Sequence, residues 1–454
     1  MKKIFQYIML AVVTIVMASC TSDIEETTAT TGKNNIQLVV GEFPAFGDSQ
    51  TRTIGTTDPG KTSWAEGDEL LLVMTSKTLG TKYATFKYNG SSWELASGEL
   101  SYKADEVPTF PHVYYAPNYK WEAGELVLKE GKVAGTDEYI EGKAEITPNG
   151  QSITVKFAAA TRNYSRLRIA TMPNKPITVT INKYTPAGSS DMAWSQNYAL
   201  TSDEKGNAYL YGTFVPYSRV DVKYGEAPLA TYKFTQETKN AKSYALDATV
   251  ISVNSAEEIK SAIQKEVANS KTAIRLNIAS DAGDNEFNAI REAFENVNSR
   301  TIDLTLIGCK EIPADGLNNQ LGGLEALKSI TLPDVTKIGK NALLFCVDLE
   351  EINTPNVTSI HENAFGGCTN LQKITFGELT EVKGQSHDYD GILDPGVDTE
   401  SINLVLSENQ KVMTKNRQGN EYFWTPTKEY YKGIVEYGSP SFLEYRFNSV
   451  SFKK

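Results

Sequence analysis

The fold of this chain is decided by two consecutive stretches, LKSITLPDVTKIGKNALLFC (residues 327–346) and LEEINTPNVTSIHENAFGGC (residues 349–368), which align at a spacing of 22 residues. Their shared frame reads L-x-x-I-x-x-x-x-V-x-x-I-x-x-N-A-x-x-x-C. A third copy begins at Leu371 and keeps the apolar positions as far as Val382. One such unit cannot bury its apolar face alone, so the pattern predicts repeats that stack on one another.

The period also indicates the class of repeat. A spacing of about 20 to 29 residues with a leucine and isoleucine frame is typical of leucine-rich solenoids. Residues 304–312 have the form of a divergent first copy, and residues 402–406 that of a last strand. We therefore expect a short array of about four or five coils.

The second copy contains His361 and Glu362, two residue types that bind metals or transfer protons. A metalloprotease helix needs a second histidine four residues after the first, but Phe365 holds that position. In the earlier copy the same two columns hold Gly339 and Lys340. Because the copies share their frame and differ at the suspected ligands, we expect His361 and Glu362 to lie on an exposed turn.

Residues 36–250 have the pattern of short strands, rich in Val, Thr, Tyr and Phe and separated by Gly, Pro and Asn. The alternating run 83–88 leads into Asn89-Gly90, which predicts a hairpin with a type I′ turn. This part of the chain predicts two tandem antiparallel β-sandwiches, and the fold is expected to be mainly β. Further strands are predicted at 167–169, 177–181, 208–212 and 220–224.

Helical periodicity is confined to the segment between the strands and the repeats. Residues 255–258, Ser-Ala-Glu-Glu, form a capping box, and apolar residues recur at helical spacing over 259–267. A second helix is predicted at 286–297, and the two helices are expected to cap the solenoid. At the other end, the aromatic-rich segment 421–447 is predicted to be β, as a C-terminal cap or as a binding face.

The N-terminus has the form of a secretory signal, with two lysines before an apolar run at residues 8–17 that is too short to span a bilayer. The sequence ASC ending at Cys20 resembles the lipobox of bacterial lipoproteins, although Met17 stands where Leu is usual. The acidic residues 21–26 resemble a signal for the outer leaflet. The resemblance implies that Cys20 is lipidated and that the protein is anchored in the outer membrane, exposed at the cell surface.

The net charge of the chain excludes one class of ligand, and the positions of its cysteines bear on whether they form a disulfide. A net charge of −11 argues against nucleic acid, which requires a concentrated basic face. Cys346 and Cys368 share one column of the repeats, so adjacent coils place them within range of a disulfide. We favour two buried thiols, since Cys behaves as a small hydrophobe and the column needs a small apolar residue.

The residues do not indicate catalysis. The three histidines are far apart in sequence, so we expect no metal, no cofactor and no enzymatic activity. Residues 387–391 carry part of a calcium-loop pattern without its closing Glu, and we interpret them as a solvated loop. Aromatic side chains offer large contact areas with few rotatable bonds. Candidate binding aromatics are Trp121, Trp424, Tyr430 and Tyr431.

Two family resemblances follow from these motifs. Thr51-Arg-Thr53, followed by the turn Trp64-Ala-Glu-Gly-Asp68 and the strand 69–73, resembles the opening of the fimbrillin family of surface lipoproteins. The repeats with N-A-F-x-x-C resemble the BspA-like leucine-rich repeats of bacterial adhesins. Together they imply two β-sandwiches of transthyretin-like topology that carry a solenoid, and neither family implies an active site.

The fimbrillin resemblance also implies a processing step. In polymerising fimbrillins, a trypsin-like protease cuts after an Arg beyond the first strand and opens a groove that a neighbour's strand fills. Residues 36–43 correspond to that strand and Arg52 to the cut site, and the alternative is that Arg52 is an ordinary exposed residue. A repeat domain after the second sandwich departs from the stalk subunits, which favours a tip subunit or a free-standing adhesin.

We therefore expect a non-enzymatic surface lipoprotein, an adhesin or fimbrial tip or accessory subunit, whose repeats bind host or bacterial surface proteins. The alternatives are a glycan-binding lipoprotein of the outer membrane, and a structural subunit that joins other fimbrillin subunits by strand exchange. The predicted organisation is a signal peptide (1–20), a tether (21–33), two β-sandwiches (34–160 and 161–250), an α/β cap (251–308), leucine-rich repeats (309–408) and a C-terminal β cap (409–454).

Overall fold

The protein is mainly β, as predicted, with two α-helices in the part of the chain that is described. The described residues form two compact units, the first within 1–44, 61–129 and 139–161 and the second within 45–60, 130–138 and 162–454. None of their helices is long and apolar enough to span a membrane. The computed structural model describes residues 29–30, 37–46, 61–103, 106–146, 152–158, 161–295, 297, 302–320, 324–384, 390–394, 396–436 and 438–453.

The first unit contains only strands among its described residues. These are β1 (Ala29–Thr30), β2 (Gln37–Val40), β3 (Glu69–Ser76), β4 (Gly80–Tyr88), β5 (Trp93–Gly98), β6 (Ser101–Tyr102), β7 (Thr109–Tyr115), β8 (Tyr119–Glu122), β9 (Glu125–Leu128), β10 (Ile140–Glu141), β11 (Lys143–Ile146) and β12 (Ser152–Lys156). An antiparallel sheet has the order β10-β7-β3-β4-β5, and β2 runs parallel to β12 in the order β11-β12-β2. The remaining strands pair as β1-β6 and β8-β9.

Strand β3 shows how the sequence builds this unit. Successive side chains of a strand point to opposite faces of the sheet, so a strand that is apolar throughout buries both faces. Leu70, Leu72 and Met74 lie in one apolar cluster, whereas Leu71 and Val73 lie in a second cluster. The central strand of the five-stranded sheet is therefore covered on both sides.

The hairpin predicted at Asn89-Gly90 is confirmed, because β4 and β5 pair antiparallel. The predicted type I′ turn is wrong, since residues 89–92 form a four-residue connection in which only Gly90 has a positive φ, of 94°. The side-chain oxygen of Asn89 instead accepts hydrogen bonds from the backbone amides of Ser91 (3.0 Å) and Ser92 (2.8 Å). This Asx turn provides the reversal that positive φ angles at both Asn89 and Gly90 were expected to provide.

The second unit begins with a six-stranded sheet. Its strands are β13 (Ser165–Ala170), β14 (Pro176–Pro186), β15 (Gln196–Thr201), β16 (Asn207–Tyr224), β17 (Ala227–Lys233) and β18 (Ser243–Asp247). Their order is β15-β14-β16-β13-β18, with β17 paired to β16. The two strands predicted at 208–212 and 220–224 belong to one strand, β16. It pairs with β13 over residues 207–212, with β14 over 212–223 and with β17 over 219–224.

The rest of the second unit is a repeated strand-and-turn structure with two helices. Its elements are β19 (Ile251–Ser252), α1 (Ala256–Ala268), β20 (Ala273–Asn277), α2 (Asp284–Phe294), β21 (Ile302–Ile307), β22 (Glu311–Ile312), β23 (Leu327–Thr331), β24 (Lys337–Ile338), β25 (Glu351–Thr354), β26 (Ser359–Ile360), β27 (Lys373–Phe376), β28 (Glu381–Lys383), β29 (Asn403–Ser407), β30 (Lys411–Gln418), β31 (Glu421–Tyr430), β32 (Ile434–Glu436), β33 (Ser439–Phe442), β34 (Tyr445–Arg446) and β35 (Ser449–Lys453).

Two ladders of strands run through this region. The first ladder is parallel, in the order β19-β20-β21-β23-β25-β27-β29-β35. The second ladder has the order β22-β24-β26-β28-β31-β30, with the hairpin β30-β31 added antiparallel to β28. Residues 402–406 were predicted as the last strand, but β35 pairs beyond β29 after the chain has formed five further strands. Parallel strands pair through backbone hydrogen bonds, so the side chains of β29 and β35 give little indication that these two strands pair.

Residues that align between repeats in the sequence lie beside one another, in register, in the structure. Ile330, Ile352 and Ile374 pair in register and are fully buried. The repeated asparagines have a conformational cause, because Asn341 and Asn363 have positive φ angles of 56° and 53°. Asn tolerates this left-handed region better than most side chains do. The frame therefore encodes both the core and the turn between ladders.

Both predicted helices are present. The hydroxyl of Ser255 accepts a hydrogen bond from the Glu258 amide (3.2 Å), and the Glu258 carboxylate accepts one from the Asn254 amide (2.7 Å). The second helix spans 284–294, not 286–297. Each helix joins two neighbouring parallel strands, and its apolar face enters the same core as the repeats.

Candidate interaction surface on the repeats

The outward face of the first ladder is the most extended repeated surface of the second unit. Its strands place one apolar column in the core, so the columns on either side point away from it. One of these outward columns consists of Ala273, Asp303, Ser329, Glu351, Lys373, Asn403 and Ser449. The other consists of Arg275, Thr305, Thr331, Asn353, Thr375, Val405 and Ser451. Thr305 and Thr375 of the second column are buried.

Side chains of the first column hold one another between coils. The Ser329 hydroxyl donates to the Asp303 carboxylate at 2.6 Å. The Lys373 ammonium donates to the Glu351 carboxylate at 2.7 Å, and both side chains are more than 40 % exposed. Exposed pairs of this kind add little stability, about 0 to 1 kcal/mol. Their consequence is a polar surface on which neighbouring side chains restrain one another's orientation.

A cleft of about 290 Å³ opens at the N-terminal end of this face, against strand β17. Hydroxyl, amide and carboxylate groups line it beside the guanidinium of Arg275. Burial lowers the pKa of Arg275, and Asp247 and Asp303 oppose that shift. Arg275 lines this cleft, and no carboxylate of the described residues lies within 4.0 Å of its guanidinium. Arg275 was missed because a single Arg in a strand carries no motif.

The second ladder carries a threonine column that the sequence analysis also missed. The hydroxyls of Thr336, Thr358 and Thr380 each donate to a backbone carbonyl one coil earlier, at 3.2 Å in every case. The signal was present, because each threonine directly follows the third apolar position of the frame. These hydrogen bonds tie successive coils together, so we assign the column to stability rather than to binding.

His361 lies in the turn after β26, as predicted, but it is half-buried rather than exposed. Burial lowers the pKa of its imidazole, and Lys383 and Lys337 lower it further. Within the described residues there is no cluster of three His, Cys, Asp or Glu side chains able to hold a metal ion. Residues 387–389 of the partial calcium-loop pattern lie outside the described residues.

The four candidate binding aromatics separate into two classes. Trp424 and Tyr431 are only 5 % and 4 % exposed and belong to the core of the repeats, so the expectation that they form open binding surfaces is wrong. Pairing of β31 with β28 buries Trp424, whose indole N–H donates to the Gly384 carbonyl at 3.1 Å.

The hydroxyl of Tyr431 donates to the Ser441 carbonyl inside the same core. Tyr430, the next residue in the chain, is 54 % exposed, with the Lys411 ammonium over its ring. Trp121, in the first unit, is half-buried with its ring 5.8 Å from that of His112. Tyr430 and Trp121 are therefore the two candidates that keep part of their side chains exposed.

Cys309, Cys346 and Cys368 are buried free thiols. The Cys346 and Cys368 thiols donate to the carbonyls of Leu317 (3.3 Å) and Leu343 (3.2 Å). The favoured interpretation of Cys346 and Cys368 as small buried hydrophobes agrees with this state.

The two predicted modification sites, the lipidation residue Cys20 and the processing residue Arg52, both lie outside the described residues.

Comparison with known proteins identifies the repeats. No curated protein matches the chain. Residues 290–389 match the family described as a BspA type leucine-rich repeat region, in six copies, against the four or five coils predicted. The match begins within α2, before the predicted start of the repeats at residue 309. The repeats of this chain are therefore leucine-rich repeats of the BspA type.

Proposed function

We propose that the chain is a non-enzymatic, lipid-anchored adhesin or fimbrial tip or accessory subunit, which binds host or bacterial surface proteins through its leucine-rich repeats. The observation that carries this proposal is the polar outward face of the first ladder, which continues over seven strands from β20 to β35. Extended faces of stacked repeats suit protein partners, because each coil adds a similar patch beside the last.

The charge pattern of that face supports a protein partner. Acidic, basic and amide side chains alternate along its first column, where Glu351, Lys373 and Asn403 follow one another. A mixed pattern fixes the register of a partner that carries the complementary order of charges. The cleft beside Arg275 gives the same face a recess in which a partner side chain is desolvated, and binding energy concentrates at such positions.

The chain offers a matched pair of variants for the test. Lys373 on the first ladder and Lys337 on the second each lie 2.7 Å from a Glu of the preceding coil, at similar exposure. We expect Lys373→Glu to weaken binding of a partner from a panel of host matrix and bacterial surface proteins at least tenfold, about 1.4 kcal/mol. Lys337→Glu makes the same charge change elsewhere and is expected to leave the affinity within twofold, as measured by surface plasmon resonance.

Either of two results contradicts the assignment to the first ladder. Equal affinity of Lys373→Glu and the unaltered chain for every captured partner removes this face from the interaction. Loss of binding in Lys337→Glu alone moves the interaction to the second ladder. Matching thermal denaturation of the two variants shows that the comparison concerns binding and not folding.

The location of the protein is part of the same proposal. A lipid on Cys20 anchors the chain in the outer membrane, with residues 21–33 as a tether to the folded units. We expect Cys20→Ala to move the protein from the membrane fraction to the soluble fraction and to abolish labelling by radioactive palmitate. Persistence of the variant in the membrane fraction contradicts a lipid anchor at this residue.

The mainly antiparallel sheets before the repeats support fimbrillin-like sandwiches of transthyretin-like topology. The pairs β12-β2 and β13-β18 are parallel, which differs from the purely antiparallel sandwiches that were predicted. One observation favours the structural-subunit alternative, because β2 is a short edge strand paired to β12 alone. Its removal after a cut at Arg52 exposes the edge of β12 to a strand from another subunit. Trypsin treatment followed by size-exclusion chromatography separates the cases: oligomers that require Arg52 favour a structural subunit, and a monomer argues against it.

A further inference from the structure

The six-stranded sheet of the second unit presents the two most exposed aromatic side chains in the described part of the chain. Trp194 is 72 % exposed and Tyr217 is 67 % exposed. A single exposed aromatic residue is common on protein surfaces and needs no explanation. Three further features distinguish this pair, namely its backbone connections, its backbone strain and the lysines beside it.

Backbone hydrogen bonds bring the two residues to one corner of the sheet. The amide of Lys183 donates to the carbonyl of Trp194 at 3.2 Å, and the hydroxyl of Ser218 donates to the carbonyl of Lys183. The amide of Tyr217 donates to the carbonyl of Phe234 at 2.8 Å. Residues far apart in sequence therefore meet across β14, β16 and the end of β17. We call Lys183, Trp194, Tyr217 and Lys233 the sheet corner.

The backbone at the sheet corner is strained. Lys183 and Tyr217 have positive φ angles of 61° and 71°, at the point where the pairing of β14 with β16 shifts register between Asn182 and Tyr184. A bulky side chain in this conformation is uncommon and destabilises the backbone locally. Strained residues of this kind cluster at ligand-binding sites, and they persist only where the surrounding structure stabilises them.

A lysine accompanies each aromatic ring. The Lys183 ammonium lies 5.9 Å from the centre of the Trp194 ring, and the Lys233 ammonium lies 5.0 Å from that of Tyr217. Neither ammonium has a carboxylate within 4.0 Å among the described residues, whereas Arg219 nearby is paired with Asp221. In a chain of net charge −11, two unpaired cations beside two exposed rings favour an anionic ligand.

We propose that the sheet corner binds carboxylated sugars. A pyranose ring has an apolar C–H face edged by hydroxyls, so it stacks on an exposed indole or phenol ring while its carboxylate pairs with an ammonium. The site is independent of the repeats, so it stands whether or not the first ladder binds a protein.

The test uses the purified full chain and two sources of carboxylated sugar, oligogalacturonate and sialyllactose. Isothermal titration calorimetry is expected to detect binding of at least one of them. We expect Trp194→Ala and Tyr217→Ala each to weaken that binding at least tenfold. Lys183→Gln with Lys233→Gln should weaken binding of oligogalacturonate while leaving its methyl ester, which lacks the charge, unaffected.

Tyr83→Ala is the matched control, because Tyr83 is an exposed tyrosine on β4 of the first unit. It is expected to leave the affinity unchanged. The proposal is overturned if neither sugar binds, if Trp194→Ala binds as Tyr83→Ala does, or if only a polyglutamate peptide binds through these residues. The last result assigns the sheet corner to acidic protein segments.

Discussion

Glu138→Ala is expected to lower the free energy of unfolding of the second unit by about 3–5 kcal/mol. The Glu138 carboxylate accepts hydrogen bonds from the Arg162 guanidinium at 3.0 and 3.1 Å and from the Tyr164 hydroxyl at 2.5 Å. The Arg162 and Glu138 side chains are 0 % and 5 % exposed. Removing the carboxylate leaves a buried cation without this ion pair, and that costs more than the pair contributed.

The Arg162 guanidinium is protonated in the folded chain. Burial acts to lower the pKa of the guanidinium, but the pairing with Glu138 outweighs it, so that the pKa is raised. When the carboxylate is removed, the guanidinium stays charged, because arginine is not deprotonated in proteins at ordinary pH. The guanidinium also lies 4.1 Å from the centre of the Phe46 ring, which places that side chain in the same buried network.

Urea denaturation followed by circular dichroism measures this effect. Glu130→Ala, at an exposed carboxylate nearby in sequence, is the control and is expected to change stability by less than about 0.5 kcal/mol. The double variant Glu138→Met with Arg162→Met should be less destabilised than Glu138→Ala, because apolar side chains replace both charges. A loss below about 1 kcal/mol for Glu138→Ala contradicts the importance of the pair.

Phe365→Ala is expected to destabilise the repeats by about 3–5 kcal/mol. The Phe365 side chain is fully buried, and its ring stacks on that of Phe376 with centroids 5.8 Å apart. Its truncation removes apolar contact and leaves a cavity between neighbouring coils. Because each coil contacts mainly its neighbours, we expect the lost protection to concentrate in the coils around residue 365.

Hydrogen exchange measured by mass spectrometry gives the position of that loss. Faster exchange in peptides covering 343–376, with less change in the six-stranded sheet, is the expected pattern. Phe452→Ala is the matched control, since Phe452 is 41 % exposed on the terminal strand β35. Equal destabilisation by the two substitutions contradicts a role for the Phe365 stack.

Several features of the fold follow from short-range patterns. The capping box at Ser255 and the hairpin at Asn89-Gly90 depend on residues within a few positions of one another, and both elements are present. The turn type at Asn89 was wrong because the asparagine side chain, rather than a second positive φ, closes the turn. Local composition thus predicts that an element exists better than it predicts the element's geometry.

The binding residues were harder to predict, because exposure is a property of the whole fold. Trp424 and Trp194 are both tryptophans in β-rich segments, yet one lies in the core and the other in solvent. Trp424 is buried because the hairpin β30-β31 joins a ladder formed some forty residues earlier in the chain. Trp194 is exposed at a corner where the register shifts. No spacing in the sequence distinguishes these two outcomes.

The sequence by itself determined that the chain is mainly β and that residues 327–382 are stacked repeats, because identical columns every 22 residues require equivalent environments. Only the tertiary structure decided which face of the repeats stays polar, which rings remain in solvent, and that β35 extends the first ladder after β29. Backbone hydrogen bonds between distant strands determine those features. Such bonds require almost nothing specific of the side chains in the strands that form them.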